Sequence, residues 1–197
     1  MAQLDELKKH FKRGKVYRRG DLTKWSKSVD RHLEQLVEEG TLEKLSQGLY
    51  YFPKETAFGK TPPEEDVLIA SFLKDKRFLV TSPNSYNSLG VGTTQLYNKR
   101  VVYNHKRHGE IKLGNRTFDF QVKHHFPNKV TEEFLLVDIV NNLEQLAEDQ
   151  NEVLNKVLTK VSGLNPQKLK SSLEEYGNTR TKRLLQPLLS KSEQQHA

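Results

Sequence analysis

Four side chains suited to DNA contact fall on one face of a predicted helix. From Ser26 to Gly40, apolar residues recur at intervals of three and four, which is the period of an amphipathic helix. On the opposite face or at its edge lie Lys27, Ser28, Arg31 and Gln35. Such cations and hydrogen-bonding groups contact phosphates and base edges. The spacing therefore predicts a recognition helix, although any solvated amphipathic helix has the same pattern.

The sequence on either side of this helix favours its interpretation as a recognition helix. Two short helical patterns precede it, separated by an extended piece around Val16. After Gly40 the apolar period changes to two, Gln47-Gly48 forms a turn, and Leu49–Phe52 is rich in strand formers. Helix, short strand, helix, turn, helix and hairpin is the order of a winged helix-turn-helix. We therefore predict a DNA-binding domain over residues 1–57, whose third helix enters the major groove.

The other predicted DNA contacts lie before the helix and on the hairpin, which is the wing. They are Arg18, Arg19, Lys24, Lys44, Ser46 and Gln47. Glu34, Glu38 and Glu39 make the later half of the helix a poor neighbour for phosphate, so its own contacts should concentrate in the first two turns. For each cation outside the helix, the alternative is an ordinary solvated surface position.

Composition narrows the class of protein. The formal net charge is +7 and the pI about 9.4, which favours a polyanionic partner. The excess of basic residues lies in the first 130 residues, whereas residues 131–197 are slightly acidic. The absence of cysteine excludes disulfides, cysteine zinc sites and thiol catalysis. No apolar run is long enough for a bilayer and the N-terminus lacks a signal-peptide pattern, so a cytoplasmic protein is expected.

The remainder predicts a second domain over residues 61–197, and an α+β chain as a whole. Residues 61–130 read as helices beside a small antiparallel sheet, with strands at 100–104, 110–113 and 117–123. Residues 131–197 carry helical stripes such as Val153, Leu154, Val157 and Leu158, and predict a helical bundle.

The predicted sheet carries a secondary basic surface. Its cations are Lys99, Arg100, Lys106, Arg107 and Lys112. This surface could extend a nucleic-acid footprint or bind an acidic partner, and the alternative is a solvated hairpin.

Two weaker patterns suggest catalysis or metal binding. Asp119, Gln121 and Lys123 alternate on one strand, faintly like a restriction-type nuclease, but a second carboxylate is missing. Four histidines, at 105, 108, 124 and 125, could hold a metal, yet adjacent residues on a strand point to opposite faces. We therefore predict no enzyme, no metal site and no cofactor.

Several of these stretches resemble one family. The N-terminal winged helix of AbiEi-type antitoxins is similar to three stretches of this sequence: Asp21-Leu22, Val29 to Gly40 and Gln47 to Pro53. The most specific part of this resemblance is the Gly-Leu-Tyr-x-x-Pro that closes the wing. Ser82 and Leu89-Gly90 are similar to the segment that follows it in that family, although Asn84-Ser85 replaces the usual small residue. The stretch from Leu169 to Leu189 is similar to the C-terminal end of AbiEi-like proteins.

The resemblance implies a type IV antitoxin that is also a transcriptional regulator. It implies double-stranded DNA with operator repeats as a partner, repression of the chain's own operon, and neutralisation of a nucleotidyltransferase-like toxin without a stable complex being required. Two other classes stay open on the residues alone. One is a winged helix that binds protein instead of DNA, and the other is a metal-dependent nuclease on the middle sheet.

Overall fold

The chain forms two compact units. The computed structural model describes residues 2–91 and 97–195. One unit consists of Met1–Arg77 with Glu110–Phe118, and the other of Phe78–Gly109 with Asp119–Ala197. The sequence predicts a domain boundary between residues 57 and 61. The fold is α+β, as predicted.

The first unit begins as a winged helix-turn-helix. Its elements are α1 (Ala2–Lys9), β1 (Lys15–Arg18), α2 (Arg19–Leu22), α3 (Val29–Glu38), β2 (Glu43–Ser46) and β3 (Leu49–Phe52). The strands form an antiparallel sheet in the order β1-β3-β2, so β2 lies at its edge. The helices pack around a core that includes Leu7, Leu22, Leu33 and Leu36. The predicted order of elements is confirmed.

Helix α3 starts at Val29, three residues later than the predicted start at Ser26. Ser28 is the N-cap residue, but its side chain makes no capping hydrogen bond. Instead the Ser26 hydroxyl accepts the Ser28 N–H at 3.1 Å and lies 2.8 Å from Nδ1 of buried His32. At the other end Gly40 has a φ of 71°, a left-handed conformation in which glycine is unstrained, and ends the helix as predicted.

Residues 54–73 form a hairpin and a helix that follow the winged helix in the same unit. Strands β4 (Lys54–Thr56) and β5 (Gly59–Thr61) pair as a small hairpin that is absent from the predicted elements. These strands show almost no apolar alternation, which is why the pattern missed them. Phe58 is fully exposed at the hairpin tip. Helix α4 (Glu65–Leu73) follows, with acidic residues in its first turn.

The next elements form a four-stranded sheet. They are β6 (Phe78–Thr81), a 3-10 helix at Pro83–Leu89, β7 (Arg100–Asn104), β8 (Gly109–Leu113) and β9 (Arg116–Val122). The strand order is β6-β7-β9-β8, and β6 and β7 are antiparallel. The division into units passes through this sheet, because residues 110–118 of the β8–β9 hairpin belong to the first unit.

The second unit ends in the predicted helical bundle. It comprises α5 (Glu132–Asn141), a 3-10 turn at Leu143–Gln145, α6 (Gln150–Val161), α7 (Pro166–Tyr176) and α8 (Thr179–Gln195). Helices α5, α6 and α7 each begin with a side-chain cap, from Thr131, Asp149 and Asn165 respectively. Their apolar faces bury one core with the sheet residues Val101 and Tyr103.

Candidate nucleic-acid interface

Helix α3 separates its apolar and polar faces as the sequence predicted. Val29, His32, Leu33 and Leu36 are buried. On the other side of the helix Arg31 and Gln35 are exposed, and Lys27 and Ser28 are exposed in the turn that precedes it. Neither Lys27 nor Arg31 forms an ion pair with any residue that the structure describes. Both cations are therefore available to an anionic partner.

An arginine-aspartate pair ties α2 to the first turn of α3. The Arg19 guanidinium donates to both carboxylate oxygens of Asp30, at 2.5 and 2.6 Å. The hydrogen bond from Arg19 lowers the pKa of the Asp30 carboxyl, and the same bond raises the pKa of Arg19. The Arg19 backbone N–H also donates to the Gly48 carbonyl at the wing turn, at 2.8 Å. A single residue thus contacts both the first turn of α3 and the wing turn.

The flanking arginines differ from Lys27 and Arg31 because they already have partners. Arg18 donates to Asp21 at 2.7 Å, and Arg19 is paired with Asp30. Both were predicted to contact phosphate on charge alone. Because each cation is matched by a nearby carboxylate, a phosphate would have to compete with that carboxylate for the guanidinium.

Lys24 and Gln35 also contact their own unit. The Lys24 ammonium lies 4.1 Å from the centre of the Trp25 ring, and that ring stacks on His10 at 4.1 Å. The Gln35 amide donates to Glu39 at 2.7 Å, in the later, acidic half of the helix region. Lys24 remains exposed, whereas the amide of Gln35 is directed away from Lys27 and Arg31.

The wing presents the remaining predicted contacts. Lys44 and Gln47 are exposed and Ser46 is half-buried. The β2–β3 pairing shifts register between Lys44 and Ser46, which marks a bulge just before the turn. Next to the bulge, the buried Leu45 accepts the Gly114 N–H through its carbonyl at 2.7 Å. The β8–β9 turn therefore contacts the wing at β2, which is its edge strand.

The cations of the predicted secondary basic surface come from both units. Lys112 belongs to the first unit, whereas Lys99, Arg100, Lys106 and Arg107 belong to the second. Lys99 forms an ion pair with Asp119 at 2.9 Å.

The nuclease pattern acquires no metal-binding geometry. Burial raises the pKa of Asp119, but hydrogen bonds from Gln121 and Lys99 outweigh it and lower that pKa overall. The Lys123 ammonium lies 5.1 Å from the Tyr103 ring centre. Among residues 2–91 and 97–195, no group of three or more histidine, aspartate or glutamate side chains is arranged to hold a metal ion.

Sequence reasoning missed a buried polar network in the second unit. Asp138 is 2% exposed and accepts hydrogen bonds from Tyr86 at 2.8 Å, Tyr103 at 2.9 Å and Asn142 at 3.1 Å. Burial raises the pKa of Asp138, although these donors partly counteract it. The signal was a single carboxylate within the apolar run 134–140. The network lies in the interior of the second unit.

Comparison with known proteins gives a family. One family model matches residues 3–173, which is most of the chain. The chain belongs to DUF6088, a family of unknown function. The DUF6088 match runs from α1 into α7, so it includes the whole winged helix. No curated protein matches this DUF6088 chain. Within its described residues, no helix is both long and apolar enough to cross a membrane.

Proposed function

We propose that this protein is a DNA-binding transcriptional regulator whose α3 helix enters the major groove. The observation that carries the proposal is the exposure of Arg31 on α3 and of Lys27 just before it, neither of which has an ion-pair partner among the described residues. The helix belongs to a winged helix-turn-helix, a fold that commonly presents its third helix to DNA. The first unit would contact DNA at the end where α2, the start of α3 and the wing turn meet.

The contacts divide by role. Arg31 would bind phosphate or guanine from the first turn of α3, and Lys27 from the turn just before the helix, with Ser28 between them. Lys44 and Gln47 would reach the adjacent backbone from the wing. Arg18 and Arg19 would act mainly as positioning residues, because their guanidinium groups already bind Asp21 and Asp30. Affinity should then fall steeply as salt rises.

We further propose that the regulator is an AbiEi-like antitoxin of the cytoplasm. Support for this comes from the sequence resemblance across the winged helix and the C-terminal helices. In this proposal the winged helix represses the chain's own operon at operator repeats, and the second unit counteracts a nucleotidyltransferase-like toxin. A neighbouring nucleotidyltransferase gene whose toxicity is relieved by co-expression of this chain would support the antitoxin role. Unrelieved toxicity would leave a regulator alone.

The DNA-binding proposal is tested by replacing the exposed cations in the first turn of α3 and just before it. Lys27→Ala with Arg31→Ala should weaken binding to the chain's own upstream DNA by at least about tenfold, because each contact to a base or phosphate is worth roughly 1 kcal/mol or more. Fluorescence anisotropy at two salt concentrations measures the loss.

The matched control is Lys168→Ala with Arg183→Ala. These residues are an exposed lysine and arginine on α7 and α8, so the control makes the same change in charge. Equal binding by the wild type and the α3 double variant would reject the recognition helix. Binding of a protein, but of no DNA, would favour the winged-helix interaction module.

A further inference from the structure

The turn that follows β7 is exposed and rich in N–H donors. Its four residues, His105-Lys106-Arg107-His108, are all exposed, and each side chain can donate a hydrogen bond to an anion. The turn belongs to the second unit and is separate from the winged helix in sequence. Neither the proposed recognition helix nor the wing accounts for it.

One buried side chain shapes this turn. Asn104 is 1% exposed, and its Oδ1 accepts the backbone N–H groups of Lys106 at 2.8 Å and Arg107 at 2.6 Å. Its Nδ2 donates to the carbonyl of Arg107 at 2.9 Å and to that of Val102 at 3.1 Å. The backbone of the turn is therefore fixed before any partner arrives, which lowers the entropy cost of binding.

A second segment of similar composition adjoins the turn. The Lys123 N–H donates to the Asn104 carbonyl at 2.9 Å, so residues 123–125 continue from β9 beside the turn. The His105 ring packs 4.8 Å from buried Phe126. His124 and His125 are both exposed. The two segments, residues 105–108 and 123–125, together hold lysine, arginine and histidine and no other residue type.

We propose that these two segments, here termed the histidine-rich basic surface, contact the backbone phosphates of double-stranded DNA. Neither segment contains an apolar or acidic side chain. Protein–protein interface cores are enriched in aromatic residues and depleted of lysine, whereas protein–DNA interfaces are polar and strongly basic. The choice of DNA as the partner rests on the proposed function. The histidine-rich basic surface adds to that function a contact that does not depend on base sequence.

The test uses the full chain and two duplexes, its own upstream DNA and one of unrelated sequence. Lys106→Ala with Arg107→Ala should lower the affinity for both duplexes by similar factors. The slope of log K against log salt should become shallower by about 2, because each lost phosphate contact removes about 0.9. The double variant Lys168→Ala with Arg183→Ala is again the matched control, and its slope should equal that of the wild type.

The two proposals fail in different ways. The recognition helix is tested by whether the α3 double variant loses its preference for the upstream duplex. The histidine-rich basic surface is tested by whether the slope of log K against log salt becomes shallower on both duplexes. If Lys106→Ala with Arg107→Ala left the slope unchanged, this inference would be wrong even with the recognition helix intact. If only the α3 variant had no effect, the basic surface would stand and the proposed mode of recognition would fall.

Discussion

One aspartate in each unit illustrates two opposite environments for an acidic side chain. In the first unit Asp30 lies at the surface, where Arg19 lowers its pKa and joins α2 to α3. In the second unit Asp138 lies in the core, where burial raises its pKa and tyrosine and asparagine side chains hold it. A surface ion pair contributes little stability because water competes for both charges, whereas removing a buried acceptor leaves its donors unpaired. Asp30 therefore helps to position α2 against α3, whereas Asp138 joins buried side chains within a core.

The largest expected effect is in the buried network. Asp138→Ala removes the acceptor shared by Tyr86, Tyr103 and Asn142, and each orphaned buried donor costs about 1–3 kcal/mol. We expect a loss of about 3 kcal/mol or more in the free energy of unfolding of the second unit, measured by hydrogen exchange of α5. The single tryptophan, Trp25, reports separately on the first unit. A loss no larger than that of a surface substitution would contradict this role.

The second prediction is an opposite dependence on pH. The raised pKa of Asp138 means that its contribution to stability is present below its unfolded pKa and is lost as pH rises through the folded pKa. The lowered pKa of Asp30 means the reverse: its contribution is present above its unfolded pKa and is lost as pH falls through the folded pKa.

Two conservative variants measure this difference. Between about pH 3 and 7, the stability of the wild type relative to Asp138→Asn should decrease as pH rises. Over the same range, its stability relative to Asp30→Asn should increase. Chemical denaturation at several pH values gives both trends, and trends of the same sign would refute the contrast between the two aspartates.

The smallest expected effect is on the stability of the first unit. A double-mutant cycle of Arg19→Ala and Asp30→Ala should give a weak coupling energy, far below the effect of Asp138→Ala, because both side chains are largely exposed. The coupling should shrink further in high salt. A coupling as large as that of the buried network would mean that the pair stabilises the fold as well as positioning α3.

Local patterns predicted the parts of the fold that local forces determine. The buried and exposed faces of α3 follow from the 3.6-residue period, and the starts of α5 and α7 follow from Thr131 and from Asn165-Pro166. The separation of α2, α3 and wing also followed from turn residues. These features depend on residues a few positions apart, so the sequence displays them directly.

Long-range contacts determined what the sequence did not reveal. Asn104 and Asp138 look like isolated polar residues until the fold brings partners to them, in the case of Asp138 from as far as Tyr86. The carboxylates that pair with Arg18 and Arg19 are visible in the sequence, but the pairing of Arg19 with Asp30 spans eleven residues and depends on how α2 meets α3. The prediction that these arginines contact DNA therefore rested on their charge alone.

The support that Gly114 gives to the wing has a consequence for synthesis. The Leu45 carbonyl accepts its hydrogen bond from a residue that the ribosome adds 69 positions later. The winged helix is translated first, yet its open edge gains this contact only when the β8–β9 turn has emerged. Closing so long a loop delays the last step of assembly. A fragment ending at Arg77 would leave that edge unprotected, and an unpaired strand edge invites pairing with other chains.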